Sequence, residues 1–203
     1  MIEFWSVMKL RQSLKEALNQ TSLSPILTLA VLFTTVFSLR ALGRHWWCAS
    51  GDLTPWTSDA WSRHTSQHLF DPYSFTHVLH GLVLYGLLSW GLPKLAGRWR
   101  FLLILALEAI WEIFENTNYI IDRYRATTAA IGYEGDSIWN SLGDITACAA
   151  GFLIAMRLGL RHSVIVFVGV ELVLLFWVRD SLVLNIVLLL YPIETLKIWQ
   201  AGH

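Results

Sequence analysis

The stretch FLLILALEAIWEIFEN, residues Phe101 to Asn116, decides how this chain must be read. It is apolar enough to enter a bilayer, yet it carries Glu108, Glu112 and Glu115. On insertion scales a central carboxylate costs about 2.5–3.5 kcal/mol, and a large apolar residue returns about 0.3–0.6 kcal/mol. Three glutamates therefore cost roughly 8–10 kcal/mol, and the apolar neighbours return about half of that. Such a helix cannot turn its glutamates to lipid. It must face them inward and pair them, protonate them or set them on a cation. Their spacing of i, i+4 and i+7 places all three on one stripe of a helix.

Similar apolar runs recur along the chain, each long enough to cross a bilayer. The predicted spans are Pro25–Leu42, Ser74–Leu92, Trp99–Ile121, Asp136–Met156 and Ser163–Val178. The last stretch, Ser181–Trp199, is apolar but interrupted by Asn185, Pro192 and Glu194. It reads as a sixth span or as a half-buried helix. The expected fold is an all-α membrane bundle of five to six transmembrane helices over residues 25–203. A Trp-rich outer segment at about 43–73 joins the first two spans. Ahead of the bundle, Val7, Leu10, Leu14, Ala17 and Leu18 recur at helical spacing opposite Lys9, Gln12, Lys15, Glu16 and Asn19. Residues 1–24 thus read as an amphipathic helix lying on the membrane surface.

Composition agrees. Of 203 residues, 55% are hydrophobic and 15% charged, against about 25% charged in ordinary soluble domains. Fifteen basic residues balance fifteen acidic ones, which argues against a nucleic-acid partner. Two cysteines are too few for a disulfide scaffold, and Cys48 and Cys148 fall at different predicted depths. Most of the eleven tryptophans fit the aromatic belts of a membrane protein. With the N-terminus inside, Lys9, Arg11, Lys15, Lys94, Arg98, Arg100, Arg157, Arg161 and, if a sixth span exists, Lys197 face inward, nine basic residues against six outside. The expected orientation is therefore an N-terminus in the cytoplasm.

The polar residues within spans are the informative ones. His77 and His80 are i, i+3 neighbours on the second span; Asp136, Asn140 and Asp144 form an i, i+4, i+8 stripe on the fourth. At about 1.5 Å per residue, these stripes and that of Glu112 and Glu115 reach one level in the outer leaflet. Imidazole with carboxylate suits zinc, iron or manganese. The expected ligands of a divalent metal are His77, His80, Glu112 and Asp136. Glu108, Glu115 and Asp144 are then the candidates for proton transfer, with Glu115 or Asp144 alternatively behind the ligands or at a second site. Asn116, Asn140, Arg123, Arg125 and Arg179 are the candidates for binding a substrate. The competing reading is a metal-free hydrogen-bonded network. Arg123 and Arg125 read equally well as snorkelling to headgroups. Ser74, Thr76, Ser137 and Ser141 are weaker candidates, as nucleophiles beside histidine. Gly81, Gly86, Gly143 and Gly151 read as close-packing positions, and Asp71-Pro72 as a turn before the second span.

Several motifs resemble a known family. They include Ser66-Gln67-His68-Leu69, Tyr73-Ser74-Phe75-Thr76-His77-Val78-Leu79-His80-Gly81 and Glu108-Ala109-Ile110-Trp111-Glu112-Ile113-Phe114-Glu115-Asn116-Thr117. Ile121-Asp122-Arg123-Tyr124-Arg125, Gly135-Asp136-Ser137-Ile138-Trp139-Asn140-Ser141 and Val178-Arg179-Asp180-Ser181 complete the set. Together they resemble the bacterial inner-membrane family UPF0314, also called DUF2585, over roughly Gly43 to Gly202. The resemblance implies a multi-pass protein of the inner membrane and supplies no activity. The segment before Gln67 departs from it, with Cys48 as its one cysteine. A looser likeness to VanZ-like membrane proteins carries no residue roles.

Three functions fit these residues. The first is a membrane-embedded, metal-assisted enzyme acting on a lipid-like substrate, in which an arginine holds the head group. The second is a proton-coupled carrier, because buried Asp, Glu and His chains relay protons. The third is a structural or assembly subunit whose polar network specifies packing. Membrane lipids are expected partners in all three.

Overall fold

The computed structural model describes residues 24–130 and 132–202. The amphipathic helix expected over residues 1–24 lies outside them, apart from Ser24, which opens α1. Every regular element among the described residues is a helix: α1 (Ser24–Ala41), α2 (Ser74–Gly91), α3 (Gly97–Glu115), α4 (Asn118–Thr127), α5 (Ile138–Trp177), α6 (Leu182–Leu190) and α7 (Glu194–Ala201). Two of them, α1 and α5, are both long and apolar enough to cross a membrane. Helices α2 and α3 have 18 and 19 residues, or about 27–28 Å at the α-helical rise. They are long enough, and their histidines, glutamates and arginines lower their hydropathy.

Helix α5 is two helices in one. Gly159, at φ 72° and ψ 169°, is not helical, and this left-handed φ suits a residue without Cβ. On one side of it the contacts run along α2 in the same direction, with Asp144 at His77 and Phe152 at Tyr85. On the other side they run back, because Trp177 reaches Phe75 at the start of α2, with ring centroids 6.3 Å apart. The chain therefore reverses at Gly159. The arms, residues 138–158 and 160–177, correspond to the fourth and fifth expected spans.

The α2–α5 contact is the most extensive in the molecule. Glycine makes it possible. A Cβ on Gly81 would overlap the Cys148 carbonyl, and one on Gly151 would overlap the Val78 carbonyl. Around this seam Ile104, Leu105, Ala109, Ile145, Cys148 and Phe152 form the main apolar core. Leu79, Leu82, Ala155 and Leu182 form a second cluster, against the returning arm of α5.

Three boundaries differ from the sequence expectation. The third span was expected to reach Ile121, but α3 ends at Glu115 and the chain re-forms as α4 after an extended Thr117. The Asn116 side chain causes the break, donating to the Glu112 carbonyl at 3.0 Å and to Asp136 at 2.8 Å. Asp136 was expected on the fourth span. It precedes the helix, because Ser137 is the N-cap and its hydroxyl accepts from the Asn140 amide at 3.1 Å. The last stretch is divided at Tyr191–Ile193, where Pro192 lacks a backbone donor. Its halves, nine and eight residues, are each about 12–14 Å long, so no single helix spans there.

Candidate functional site

Residues 43–73 form a lid over the start of α5. The first amides of a helix have no partner within it, and here the lid supplies them. Ser137 N donates to Ser66 O, Ile138 N to His45 O and Trp139 N to Trp46 O, at 2.8, 2.9 and 3.3 Å. Gln67 adds a side-chain bond to the Gly135 carbonyl at 2.9 Å. Asp71 anchors the end of the lid, with Oδ2 accepting from Ser66 N at 2.6 Å and Oδ1 from Tyr73 N at 2.7 Å. Gly143 lets the Leu69 carbonyl lie directly against α5.

Beneath the lid, α2, α3 and α5 bring their polar stripes together. His77 Nδ1 lies 2.6 Å from Glu108 Oε1, and His80 Nδ1 lies 2.9 Å from the same oxygen. One glutamate thus receives both histidines. Glu112 also approaches His77 Nδ1, at 3.3 Å, and Asp144 lies 3.8 Å from Nε2. Glu112 is wholly buried, and neither of its oxygens has a hydrogen-bond partner among the described residues. Distance alone does not satisfy it, because the Nδ1 proton is directed at Glu108. Asp144 Oδ1 and Glu115 Oε2 are likewise unpartnered. A buried polar oxygen without a partner is costly, and three of these four belong to the two carboxyl groups beside His77.

The geometry permits a metal. A ligating histidine ordinarily gives its second ring N–H to a carboxylate, which fixes the tautomer. Glu108 holds His77 Nδ1–H in that way and leaves Nε2 as a lone pair on the Asp144 side. His77, Glu112 and Asp144 have ligand atoms within 4.8 Å of one another, as do His77, His80 and Glu108.

The structure redistributes the residues singled out from sequence. Asp136, expected as a ligand, belongs to neither group; it pairs with Asn116 through two bonds and accepts from Tyr133 at 2.9 Å. Glu108, expected in proton transfer, is the acceptor for both histidines. Asp144 stands with His77 and Glu112, whereas Glu115 lies toward Tyr124 and accepts from its hydroxyl. Asn140 is buried with both side-chain polar atoms unpartnered. The arginines expected at a substrate are bonded to main chain: Arg123 to Leu189 O at 2.8 Å, Arg125 to Tyr133 O at 2.6 Å and Arg179 to Trp199 O at 3.2 Å. The candidate nucleophiles are all engaged in hydrogen bonds, Ser141 accepting from Asn116 at 3.4 Å. Thr76 and Ser137 donate to the Tyr73 and Gln67 carbonyls, and Ser74 accepts from Asp71 N. Sequence reasoning missed His64 and His68, which approach Cys48 within the lid. Their i, i+4 spacing in a polar segment with a cysteine was the available signal.

Two cavities meet at His77. One, of about 650 Å³, lies under the lid and is lined by Ser50, Arg63, Tyr73, Tyr133, Glu115, Asp136, Asp144 and Asp180. The other, of about 390 Å³, is lined mainly by Val83, Leu84, Leu107, Trp111, Phe167 and Leu182 beside His80. Thr76, His77, Glu115, Tyr124 and Asn185 border both. At the outer rim burial pushes the Asp180 carboxyl up to about 7, although Ser181 N, Tyr73 and Gln200 donate to it.

Fold and site together define an all-helical protein with a buried histidine–carboxylate centre. The chain belongs to the family described as a protein of unknown function, DUF2585, whose model matches residues 39–202. It is 44% identical over 177 residues to a UPF0314 protein of Rhizobium meliloti, covering 86% of this chain and 88% of the relative. A UPF0314 protein of Paracoccus denitrificans is 40% identical over 175 residues, covering 86% of this chain and 91% of the relative. One from Brucella anthropi is 37% identical over 193 residues, 95% of this chain and 98% of the relative. No solved structure matches.

Proposed function

We propose that this chain is an inner-membrane protein with five transmembrane helices, namely α1, α2, α3 and the two arms of α5. Its centre is a metal-assisted active site acting on an amphiphilic, lipid-like substrate. The unpartnered carboxylate oxygens of Glu112 and Asp144 beside His77 carry this reading. They are an excess of buried negative charge that a divalent cation would satisfy. One imidazole with two carboxylates suits manganese, iron or zinc. His77, Glu112 and Asp144 are the ligands, Glu108 orients His77, and His80 braces Glu108. Such an ion supplies Lewis acidity or an activated water. Glu115, paired with Tyr124 at the junction of the cavities, is placed to take up or give a proton.

The substrate class follows from the two cavities. The polar chamber accommodates a head group and the apolar one a chain, with the metal centre where they join. Exposed apolar side chains support the membrane reading: Trp90 is 85% exposed and Phe176 82% exposed, on helix faces that suit lipid. Elemental analysis of the protein in detergent tests the centre. The loss of one equivalent of manganese, iron or zinc per chain in both Glu112→Gln and Asp144→Asn is the expected result. Unchanged metal content in these folded variants would overturn it.

A further inference from the structure

The lid holds a second group of metal-type donors, away from the bundle centre. His64 Nδ1 lies 3.2 Å from His68 Nε2 and 3.5 Å from Cys48 Sγ. Around a tetrahedral zinc, with Zn–N about 2.0–2.1 Å and Zn–S about 2.3 Å, two nitrogens sit about 3.3 Å apart and a nitrogen and sulfur about 3.6 Å apart. Two of the three donor separations in the lid already match such edges, and all three donor atoms lie within 4.8 Å of one another.

The surroundings fix the orientation of the ligands. His68 is fully buried, and its Nδ1 lies 2.5 Å from the Thr54 carbonyl. Nδ1 is therefore the N–H donor, and Nε2 is left as a lone pair. Thr54 is held in turn by Asp52, whose Oδ1 accepts from the Thr54 amide and hydroxyl, each at 2.9 Å. Those bonds hold the Asp52 carboxyl below its ordinary range. Trp47 donates to the Asp52 carbonyl at 2.7 Å and stands edge-on to the His68 ring. Three layers of contacts thus converge on one imidazole in an otherwise irregular segment.

We propose that Cys48 Sγ, His64 Nδ1 and His68 Nε2 bind a zinc ion in the lid. A thiolate with two imidazoles is a donor set that zinc favours. Binding releases the Cys48 thiol proton to solvent and forms one Zn–S and two Zn–N bonds. The fourth corner lies toward Ser50, whose hydroxyl is 2.9 Å from Cys48 Sγ and 3.5 Å from His64 Nδ1. Ser50 also lines the larger cavity, so this corner opens toward the polar chamber. The ion fastens both ends of the lid. Cys48 follows His45 and Trp46, and His68 follows Ser66 and Gln67, whose carbonyls receive the first residues of α5.

Cobalt substitution of the full-length protein in detergent tests the proposal. The parent is expected to show a thiolate-to-cobalt charge-transfer band in the near ultraviolet. Cys48→Ser and His68→Gln should each lose the band and one equivalent of metal. His77→Ala should keep the band, because that residue belongs to the bundle centre, so loss of either site is read separately. Cobalt bound without a thiolate band, or full metal content in Cys48→Ser, would overturn the proposal. If Cys48→Ser does not fold, alkylation of Cys48 in the parent decides the matter. Zinc should slow modification at least tenfold, and an equal rate with and without zinc would overturn the site.

Discussion

The bundle centre and the lid present overlapping side-chain types held in opposite ways. In the bundle, helices pin the donors, and buried carboxyl groups outnumber the histidines beside them. The lid instead holds a thiol and two imidazoles on turns, oriented by carbonyls and an Asx turn. Distances separate them further. His77 and His80 lie 2.6 and 2.9 Å from Glu108, the length of charge-assisted hydrogen bonds. The lid nitrogens lie 3.2 Å apart, close to the edge of a zinc tetrahedron. The bundle's shortest contacts thus join imidazole to carboxylate, whereas the lid's shortest contact between these donors joins imidazole to imidazole. Hard oxygen donors in one and soft sulfur in the other also predict different ions.

The largest effect is expected where the bundle pair is broken. Glu108→Ala leaves the buried His77 and the half-buried His80 without their acceptor, and removing one partner of a buried pair costs about 3–5 kcal/mol. Thermal unfolding in detergent should register this, with Cys48→Ser in metal-free protein changing far less. A loss below about 1 kcal/mol for Glu108→Ala would mean that the pair does not organise the bundle.

Asp180 asks whether a buried carboxylate without a histidine behaves differently. It accepts from Tyr73 and Asn185 at 3.3 and 3.0 Å. Its folded-state value of about 7 lies above the ordinary 3.8. Protonation therefore favours the folded state. The contribution is fully present below pH 3.8 and is lost as pH rises through about 7. The interval is equivalent to about 4 kcal/mol at most. Asp180→Asn should remove that slope, and melting curves of both proteins from pH 4 to pH 8 compare them. Parallel curves would show that Asp180 does not contribute.

These residues also mark what could be read in the sequence. Glu108, Glu112, His77, His80 and Asp144 were legible as inward stripes, because burying a carboxylate in an apolar helix leaves no other option. Their division of labour was not legible. That Glu108 receives both histidines depends on the axial offset of α2 against α3, and the glycine seam along α5 sets how closely α2 can pack. Asp136 was misplaced because Ser137 starts the helix one residue later, a capping preference that a hydropathy run does not reveal. The lid donors went unread because no periodicity relates Cys48 to His64 across a turn-rich segment. Only the folded backbone, with Trp47 and Thr54 against His68, brings them together.

A smaller effect is expected at the hinge of the lid. Asp71→Ala removes the acceptor of the Ser66 and Tyr73 amides and weakens the start of α2, at a cost of about 1–2 kcal/mol. Hydrogen exchange at Ser66, Tyr73 and Ser137 should rise together if the lid moves as one unit. A rise at Tyr73 alone would separate the turn from the lid.

The smallest effect should come from Arg125, which lies outside both centres. Its Nε donates to the Tyr133 carbonyl at 2.6 Å, and its guanidinium is 3.5 Å from Asp122. Asp122 is largely exposed, with 72% of its side chain accessible, so solvent screens the pair. An exposed pair of this kind contributes about 0–1 kcal/mol. The carbonyl bond matters more, because it ties α4 to the loop that carries Tyr133 and so bears on Asp136. Arg125→Ala should thus lower stability by under about 1 kcal/mol and leave metal content unchanged. Arg125→Lys keeps the charge but lacks the planar fork of the guanidinium. If Arg125 only braces the loop, both variants should bind lipid vesicles as the parent does. If it holds a head group, Arg125→Ala should lose affinity for anionic vesicles over neutral ones and Arg125→Lys should largely retain it. That result would move the polar end of the substrate site away from the acidic chamber and onto α4.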